Sequence, residues 1–320
     1  MKINADIIKE LENTIDTIHP ERGKIPIKIL GFGEISLVFE LVDDPEKIAY
    51  KRLPIFDSEK QVKRHIKAYK EYNRILKEDI RLNIPDCDAV WVKDRKGNIV
   101  LYCAQEKVPP ETIGNKIIQE LSNHDVSKLV LFIMRELKKV WDFNKKNENI
   151  KVGIDGQISN FSLEGYNPNN PKVPEDITLI YLDTSTPMYR INGIEAMEPE
   201  LFLKSAPSFL RWLLKALFIQ EVMDRYHDWR LVTIDLIANF FKEQKRELIP
   251  GLIKIINDFF IQEAGEFNIE SITLKEVQSY YDNDKMIWEI FQRVRKFDRF
   301  IKTKLFRKKY DFYLPGKIER

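Results

Sequence analysis

Val152-Gly153-Ile154-Asp155-Gly156-Gln157-Ile158-Ser159-Asn160-Phe161 is the stretch on which the reading of this chain turns. Asp155 and Asn160 stand five residues apart in a glycine-bearing loop. A short apolar strand, expected over 177–182, follows and ends on Asp183 within Ile180-Tyr181-Leu182-Asp183-Thr184-Ser185. Phosphoryl transfer is mostly positioning and neutralisation of charge. It needs a carboxylate to orient a nucleophile, and an amide with a second carboxylate suits the holding of magnesium. An Asp in a Gly-rich loop also caps turns with no part in chemistry.

Upstream of this loop the apolar period is helical. Val126, Leu129, Val130, Ile133, Leu137, Val140 and Trp141 fall on one face, as a core-packed helix requires. The stretch 148–176 is irregular and rich in Gly, Asn and Pro. The first third reads as strands. Lys24–Leu30 and Ile35–Leu41 flank Gly31-Phe32-Gly33, and Ile48–Leu53 follows the turn cluster Asp43-Asp44-Pro45-Glu46. A hairpin is expected over Val90–Val92 and Ile99–Ala104, turning at Lys96-Gly97-Asn98, with Pro109-Pro110 closing the strand section. Ser58 and Gln61 have capping-box spacing at the head of a helix running to about Glu78. Thr273 and Glu276 repeat that spacing before a last helix, and 198–263 reads as successive helices.

The candidate ligand-binding residues of the first third lie in this frame. Glycine lets a backbone approach phosphates closely, so Gly31 and Gly33 are candidates, although such a pair is often just a hairpin turn. Lys51 ends a strand 18 residues after Gly33, and Glu71 sits 20 residues further on, inside the helix. A lysine braced by a helix carboxylate would present a fixed positive charge. Exposed Lys and Glu are also common surface residues, and Glu59 and Glu78 are rivals to Glu71.

Composition bounds the rest. The 320 residues carry 52 Lys+Arg and 50 Asp+Glu, a net charge of +2, which argues against a protein that works mainly by coating nucleic acid. Cys87 and Cys103 cannot form a disulfide framework, and none of His19, His65, His124 and His227 has a partner at metal-ligand spacing. The N-terminus lacks a signal-peptide apolar core. The most apolar stretch, 209–223, is broken by Arg211 and Lys215 and falls short of a membrane span. A soluble, cytoplasmic protein is expected. The charged and aromatic run Asp224–Arg230 reads as a helix-to-helix ion-pair cluster, with acceptor binding as its functional alternative and His227 as a structural residue. Residues 293–320 hold 11 Lys+Arg against 3 Asp+Glu. With Phe297, Phe300, Ile301, Leu305 and Phe306 interleaved, they read as an amphipathic helix docked on the body, or as a surface for nucleic acid or membrane.

The ordered series Gly31-x-Gly33, Lys51, Glu71, Asp155-x4-Asn160 and Asp183 resembles the protein-kinase-like superfamily. Within it the series is most similar to the aminoglycoside phosphotransferase and choline kinase branch, whose members share the D-x4-N spacing. Choline kinases can also carry Gln two residues after the Asp, where Gln157 stands. The resemblance covers roughly 24–190 by motif and the remainder by architecture alone. It implies an α+β, two-lobed fold: an antiparallel-sheet nucleotide-binding lobe over 1–108, and a larger, mainly helical lobe over 109–320 that holds the catalytic loop and metal site. It implies ATP and Mg2+ as cofactors and a small-molecule hydroxyl as acceptor. Gly31 and Gly33 would cover the phosphates, and Lys51 would contact them, braced by Glu71. The backbone of Gln105, Glu106, Lys107 and Val108 would meet the adenine. Asp155 would be the catalytic carboxylate, and Asn160 and Asp183 the magnesium ligands. The departures are Ser36 for the loop's third glycine, Gly153 where His is usual, Asp183-Thr184-Ser185 for the metal-binding triplet, a long segment after Asn160, and no clear Ala-Pro-Glu. A pseudokinase acting with a protein partner and a divergent Ser/Thr protein kinase are the alternatives.

Overall fold

The computed structural model describes all residues except 33–35, 45, 208–210, 213–214, 216–219, 308–309 and 315–320. Gly33 and much of the apolar stretch 209–223 therefore lie outside the described residues.

Five strands form the smaller, N-terminal sheet: β1 (Ile27–Phe32), β2 (Leu37–Leu41), β3 (Ile48–Phe56), β4 (Cys87–Lys93) and β5 (Ile99–Glu106). All pairings are antiparallel, in the order β1-β2-β3-β5-β4. Successive side chains of a strand point to opposite faces, and both faces of this sheet are covered. Ile48, Tyr50, Val100, Tyr102 and Ala104 face a core shared with Ile8, Leu11 and Ile15, from helix α1 (Ala5–Thr14) and the residue after it. Leu53, Leu101 and Cys103 face the opposite core, shared with Val62 and Tyr69 of helix α2 (Glu59–Arg74). Tyr310, Phe312 and Leu314 join that second core, so the far end of the chain returns to the sheet.

Adjacent residues of β3 thus do different things. Lys51 faces the helical part, where it meets Asp183, while Arg52 is buried under α1. The Arg52 guanidinium makes two 2.7 Å hydrogen bonds to the Glu12 carboxylate and a third to the Asp311 carbonyl. The Tyr102 hydroxyl also donates to Glu12, at 2.5 Å.

Ser58 caps α2 by accepting the Gln61 amide, as its spacing predicts. The return bond goes elsewhere, since the Gln61 side chain accepts from the Asp57 amide. The helix then widens into a π-helical turn over Ile75–Asp79.

The larger part is built on a 24-residue helix, α4 (Asn123–Lys146), which follows a short α3 (Gly114–Glu120). Its buried face is the predicted one, Val126, Leu129, Val130, Ile133, Leu137, Val140 and Trp141, with Met134 added. Against it pack α6 (Trp229–Lys242), which follows a short α5 (Gln220–Arg225), and α7 (Ile249–Gln262), with Trp141 stacked on Trp229 at 5.3 Å, while α8 (Leu274–Phe300) packs on α6 and α7. The Thr273–Glu276 capping box at the head of α8 is complete.

Two small sheets frame the loop between α4 and α5. One consists of β6 (Ile150–Val152), β9 (Tyr189–Ile191) and β10 (Ile194–Glu195), and the other of β7 (Phe161–Leu163) and β8 (Leu179–Tyr181). The β9–β10 hairpin had no counterpart in the sequence reading. The protein is α+β, with a small antiparallel-sheet lobe and a larger helical part.

The expectation for the C-terminal segment needs correction. Helix α8 does contact the body, through Val277, Tyr280 and Tyr281 near its start and through Gln292, Arg295 and Asp298 in its C-terminal half, whereas Phe297, Phe300, Leu305 and Phe306 are exposed.

Candidate functional site

Three separate elements bring acidic side chains to the cleft line where the sheet meets the helical part. Asp155 lies in the loop between β6 and β7, Asp183 directly after β8, and Asp235 in the middle of α6. Opposite them Lys51 reaches down from β3, its Nζ 2.9 Å from Asp183 Oδ1. Burial works against the charge of Lys51, and the neighbouring Asp183 carboxylate more than offsets it, so its pKa lies above the ordinary lysine value. Asp183 shows the mirror effect. Burial pushes it up, and Lys51 with the Ser185 hydroxyl holds it below the ordinary carboxylate range. Both members are therefore charged at neutral pH.

Asp155 is in the opposite condition. Burial, then Asp235, then Asp183 push its pKa up to about 7. Desolvation and like charge both disfavour a carboxylate. The Asp155 position is closely held. Its Oδ1 accepts the Gln157 amide at 3.1 Å, so it does cap a turn, and its own amide donates to the Tyr181 hydroxyl at 3.3 Å. Gln157 continues the network, donating from Nε2 to Asp235 Oδ2 at 3.2 Å. Beyond Asp235 stands Arg225, whose guanidinium donates to the Tyr280 hydroxyl at 2.7 Å and to the Tyr226 hydroxyl at 3.1 Å. Asp235 itself is raised, chiefly by burial.

Gly153 has a physical reason to be glycine. A Cβ there would sit 2.9 Å from the Tyr226 carbonyl oxygen. The Gly153 amide donates to Met188 O at 2.7 Å and its carbonyl accepts the Tyr72 hydroxyl at 2.9 Å. The Ile154 amide donates to Tyr226 O at 3.0 Å. The segment before α6 is thus laid directly on the loop, and no side chain, histidine included, fits at 153 unless that segment shifts.

Asn160 and Asp183 are neighbours through a backbone bond, Leu182 N–H to Asn160 O at 2.8 Å. The Asn160 Nδ2 donates to the Asp155 carbonyl at 3.2 Å, which leaves Oδ1 as the atom that could meet a cation. Among the described residues no three His, Cys, Asp or Glu side chains converge as a metal cage. Magnesium is commonly bound by one or two protein ligands together with water and phosphate oxygens, and an Asn–Asp pair fits that pattern.

The brace expected for Lys51 is not formed. Glu71 turns away and pairs with Arg74, Nη2 to Oε1 at 2.8 Å. The reason is the helix period. Residues 65, 69 and 72 face inward, so Glu71 projects from the opposite side. What α2 sends toward the cleft is aromatic: Tyr72, bonded to the loop as described, and the buried Tyr69. In the connection after β5, the Glu106 and Lys107 amides already donate to Asp86 O at 2.9 Å and Lys47 O at 3.1 Å. Gln105 is paired within the sheet, and Val108 follows as the chain leaves it. Gly31 pairs with Val38 beside a register shift, and a Cβ on it would meet nothing within 4 Å. Packing within the described protein does not demand glycine at 31.

The run 224–230 is the ion-pair cluster expected of it. Asp224 meets Arg190 at 2.5 Å, Arg230 meets Glu276 at 2.7 Å, and Asp228 caps α6. His227 is held neutral, its pKa pushed down to about 4 by burial. Sequence reasoning missed Asp235 and Arg225 as neighbours of Asp155. The available signal was a single carboxylate inside the apolar run 231–241.

A family model described as "Family of unknown function (DUF6206)" matches residues 10–299. The chain belongs to this family. No curated protein sequence matches it. Among solved structures, DUF6206 as represented by this chain is similar to WaaP in complex with acyl carrier protein. That match has 11% identity and a TM-score of 0.33 and covers 82% of this chain and 89% of the other. It is also similar to the GDP complex of wild-type aminoglycoside 2'-phosphotransferase-IIIa. There the identity is 14% and the TM-score 0.31, with 82% and 94% covered. At such TM-scores the likenesses add nothing to the description of the site. The chain itself shows a five-stranded antiparallel sheet with a helix between its third and fourth strands, then a helical part whose β6-loop-β7-β8 unit carries Asp155, Asn160 and Asp183.

Proposed function

We propose that this protein is an ATP- and Mg2+-dependent phosphotransferase acting on the hydroxyl of a small molecule. The observation that carries the reading is the Lys51–Asp183 pair across the cleft, beside a buried Asp155 whose pKa is pushed up to about 7. Lys51 would hold nucleotide phosphates, while Asp183 and the Asn160 amide oxygen would hold the metal, which supplies charge neutralisation on the phosphates. Asp155 would accept a hydrogen bond from the acceptor hydroxyl and take its proton late in transfer. A base with a pKa near neutrality suits that task. A Cβ on Gly31 would meet nothing within 4 Å, which is compatible with a phosphate approaching the backbone there.

The absence of an α2 carboxylate at Lys51 favours a second reading, a nucleotide-binding module without transfer. Turnover separates the two. The wild type should bind ATP in a Mg2+-dependent manner and transfer phosphate to a member of a panel of alcohols, amino alcohols and sugars. Asp155→Asn should keep ATP affinity and lose turnover by about 10²–10⁴-fold. Binding without transfer to any acceptor would select the second reading. Failure of the wild type to bind nucleotide with Mg2+ would reject both.

A further inference from the structure

Helix α8 packs Val277, Tyr280 and Tyr281 on the core in the ordinary way, but from about Met286 onward it is inverted with respect to polarity. A helix on a globular body ordinarily turns its apolar stripe inward and its charges outward. Here Gln292, Arg295 and Asp298 are buried, and the Arg295 Nη2 donates to the Tyr313 carbonyl at 2.9 Å. Met286, Ile290, Phe297 and Phe300, by contrast, are each more than half exposed. At about 100° per residue these four lie within a stripe roughly 80° wide on the outer side. Leu305 and Phe306, past the end of the helix, are about two-thirds exposed. Exposed apolar surface of this extent marks a place that something else covers.

Charge says what covers it. From 286 to 307 the acidic residues are Glu289 and Asp298, and Asp298 is buried with Lys302 at 2.7 Å. Arg293, Lys296, Lys304 and Arg307 are exposed around the stripe. A second copy of this chain would set these cations against their own equivalents, with Arg293 in the middle of the seam. An anionic lipid surface accepts both features: aromatic and aliphatic side chains enter the boundary between headgroups and acyl chains, and lysine and arginine meet lipid phosphates. The long stems of Lys and Arg can lie along the apolar stripe while their charged ends stay in the headgroup layer.

We propose that the outer face of α8, continued to Arg307, rests on the surface of a membrane containing anionic lipid. The helix lies in the plane of the surface. No helix among the described residues is long and apolar enough to cross a membrane. This surface is independent of the phosphotransferase reading and stands or falls separately from it.

The test is flotation of the full chain with vesicles of phosphatidylcholine alone, and of phosphatidylcholine with about 30% phosphatidylglycerol. Binding is expected to the second and not the first, and to weaken as salt is raised. Arg293→Ser/Lys296→Ser should weaken it by about 30-fold, at roughly fivefold for each cation near the surface. Phe297→Ser/Phe300→Ser should also release the protein, with thermal unfolding unchanged because both rings are exposed. Equal binding to both vesicles, or none to either, overturns the proposal. So does undiminished binding by the Phe double variant, which would mean charge attraction alone. Concentration-dependent dimerisation in sedimentation that this variant abolishes, without vesicle binding by the wild type, would assign the face to a second copy instead.

Discussion

Replacing Arg52 by Met should cost about 3–5 kcal/mol of stability, because it breaks a buried ion pair on one side only. The side chains of Arg52 and Glu12 are 4% and 2% exposed, so the carboxylate left behind could not be rescued by water. Burial opposes the Arg52 charge, and Glu12 more than offsets it, raising the guanidinium above its ordinary value. That places most of the energy in the pairing rather than in the charge itself. For a chain of 320 residues the loss corresponds to a fall in Tm of about 5–7 °C if unfolding is two-state. The reciprocal Glu12→Leu should cost a similar amount. The double variant Glu12→Leu/Arg52→Met should recover most of it, since no charge is then stranded. It should retain a deficit of about 1–3 kcal/mol for the Tyr102 hydroxyl, which loses its acceptor. Adding Tyr102→Phe should remove that deficit. Urea unfolding of the four variants measures the cycle. If the double variant costs the sum of the two singles, Arg52 and Glu12 are not coupled and the reasoning is refuted.

Two further outcomes test the loop and the buried imidazole. Gly153→Ala should destabilise by about 1–3 kcal/mol, because its Cβ would press on the backbone oxygen of Tyr226 rather than on a movable side chain; an unchanged thermal midpoint would show that the segment before α6 gives way. His65 is held neutral by burial, its pKa pushed down to about 4 from an ordinary 6.5. The unfolded chain therefore takes up its proton first, and stability is lost as pH falls from 6.5 toward 4, by up to about 3 kcal/mol. The difference in unfolding free energy between wild type and His65→Phe should follow that window, and a difference independent of pH would contradict it.

Much of the architecture was legible because it rests on periodicity and punctuation. The α4 face is an uninterrupted 3.6-residue pattern, and the sheet strands are alternating runs cut by Gly, Pro and Asp turns. The box at Thr273 depends on two residues three apart and formed as spaced. The β9–β10 hairpin was harder because its strands are three and two residues long, too short for any period. Its signal was the Asn192-Gly193 pair, with both residues at positive φ, +50° and +79°. For the site, order along the chain identified Lys51, Asp155, Asn160 and Asp183 as a set, and folding brings them to one cleft. Glu71 was chosen by spacing from Lys51, but the choice ignored the face of its helix. Tyr69 and Tyr72 hold the inward positions, and a residue one step from Tyr72 could not share them. Asp235 was hidden for the opposite reason. It sits on a helix buried on nearly all sides, where no stripe distinguishes one position from another.

The hydrogen bond from Tyr72 to the Gly153 carbonyl has a mechanical meaning. Ala68, Tyr72, Ile75 and Leu76, on α2 and the turn that follows it, belong to the same apolar cluster as α4 and α6. Although α2 lies between two strands of the sheet in the chain, its second half is held by both parts, with Tyr69 in the sheet's core and Ala68 and Tyr72 in the larger part. Tilting the sheet to admit a ligand would therefore load α2 between its two attachments, Tyr69 on the sheet and Tyr72 on the loop. Tyr72, fixed to the floor of the cleft, would act as the stationary jaw, and Lys51 as the one that travels.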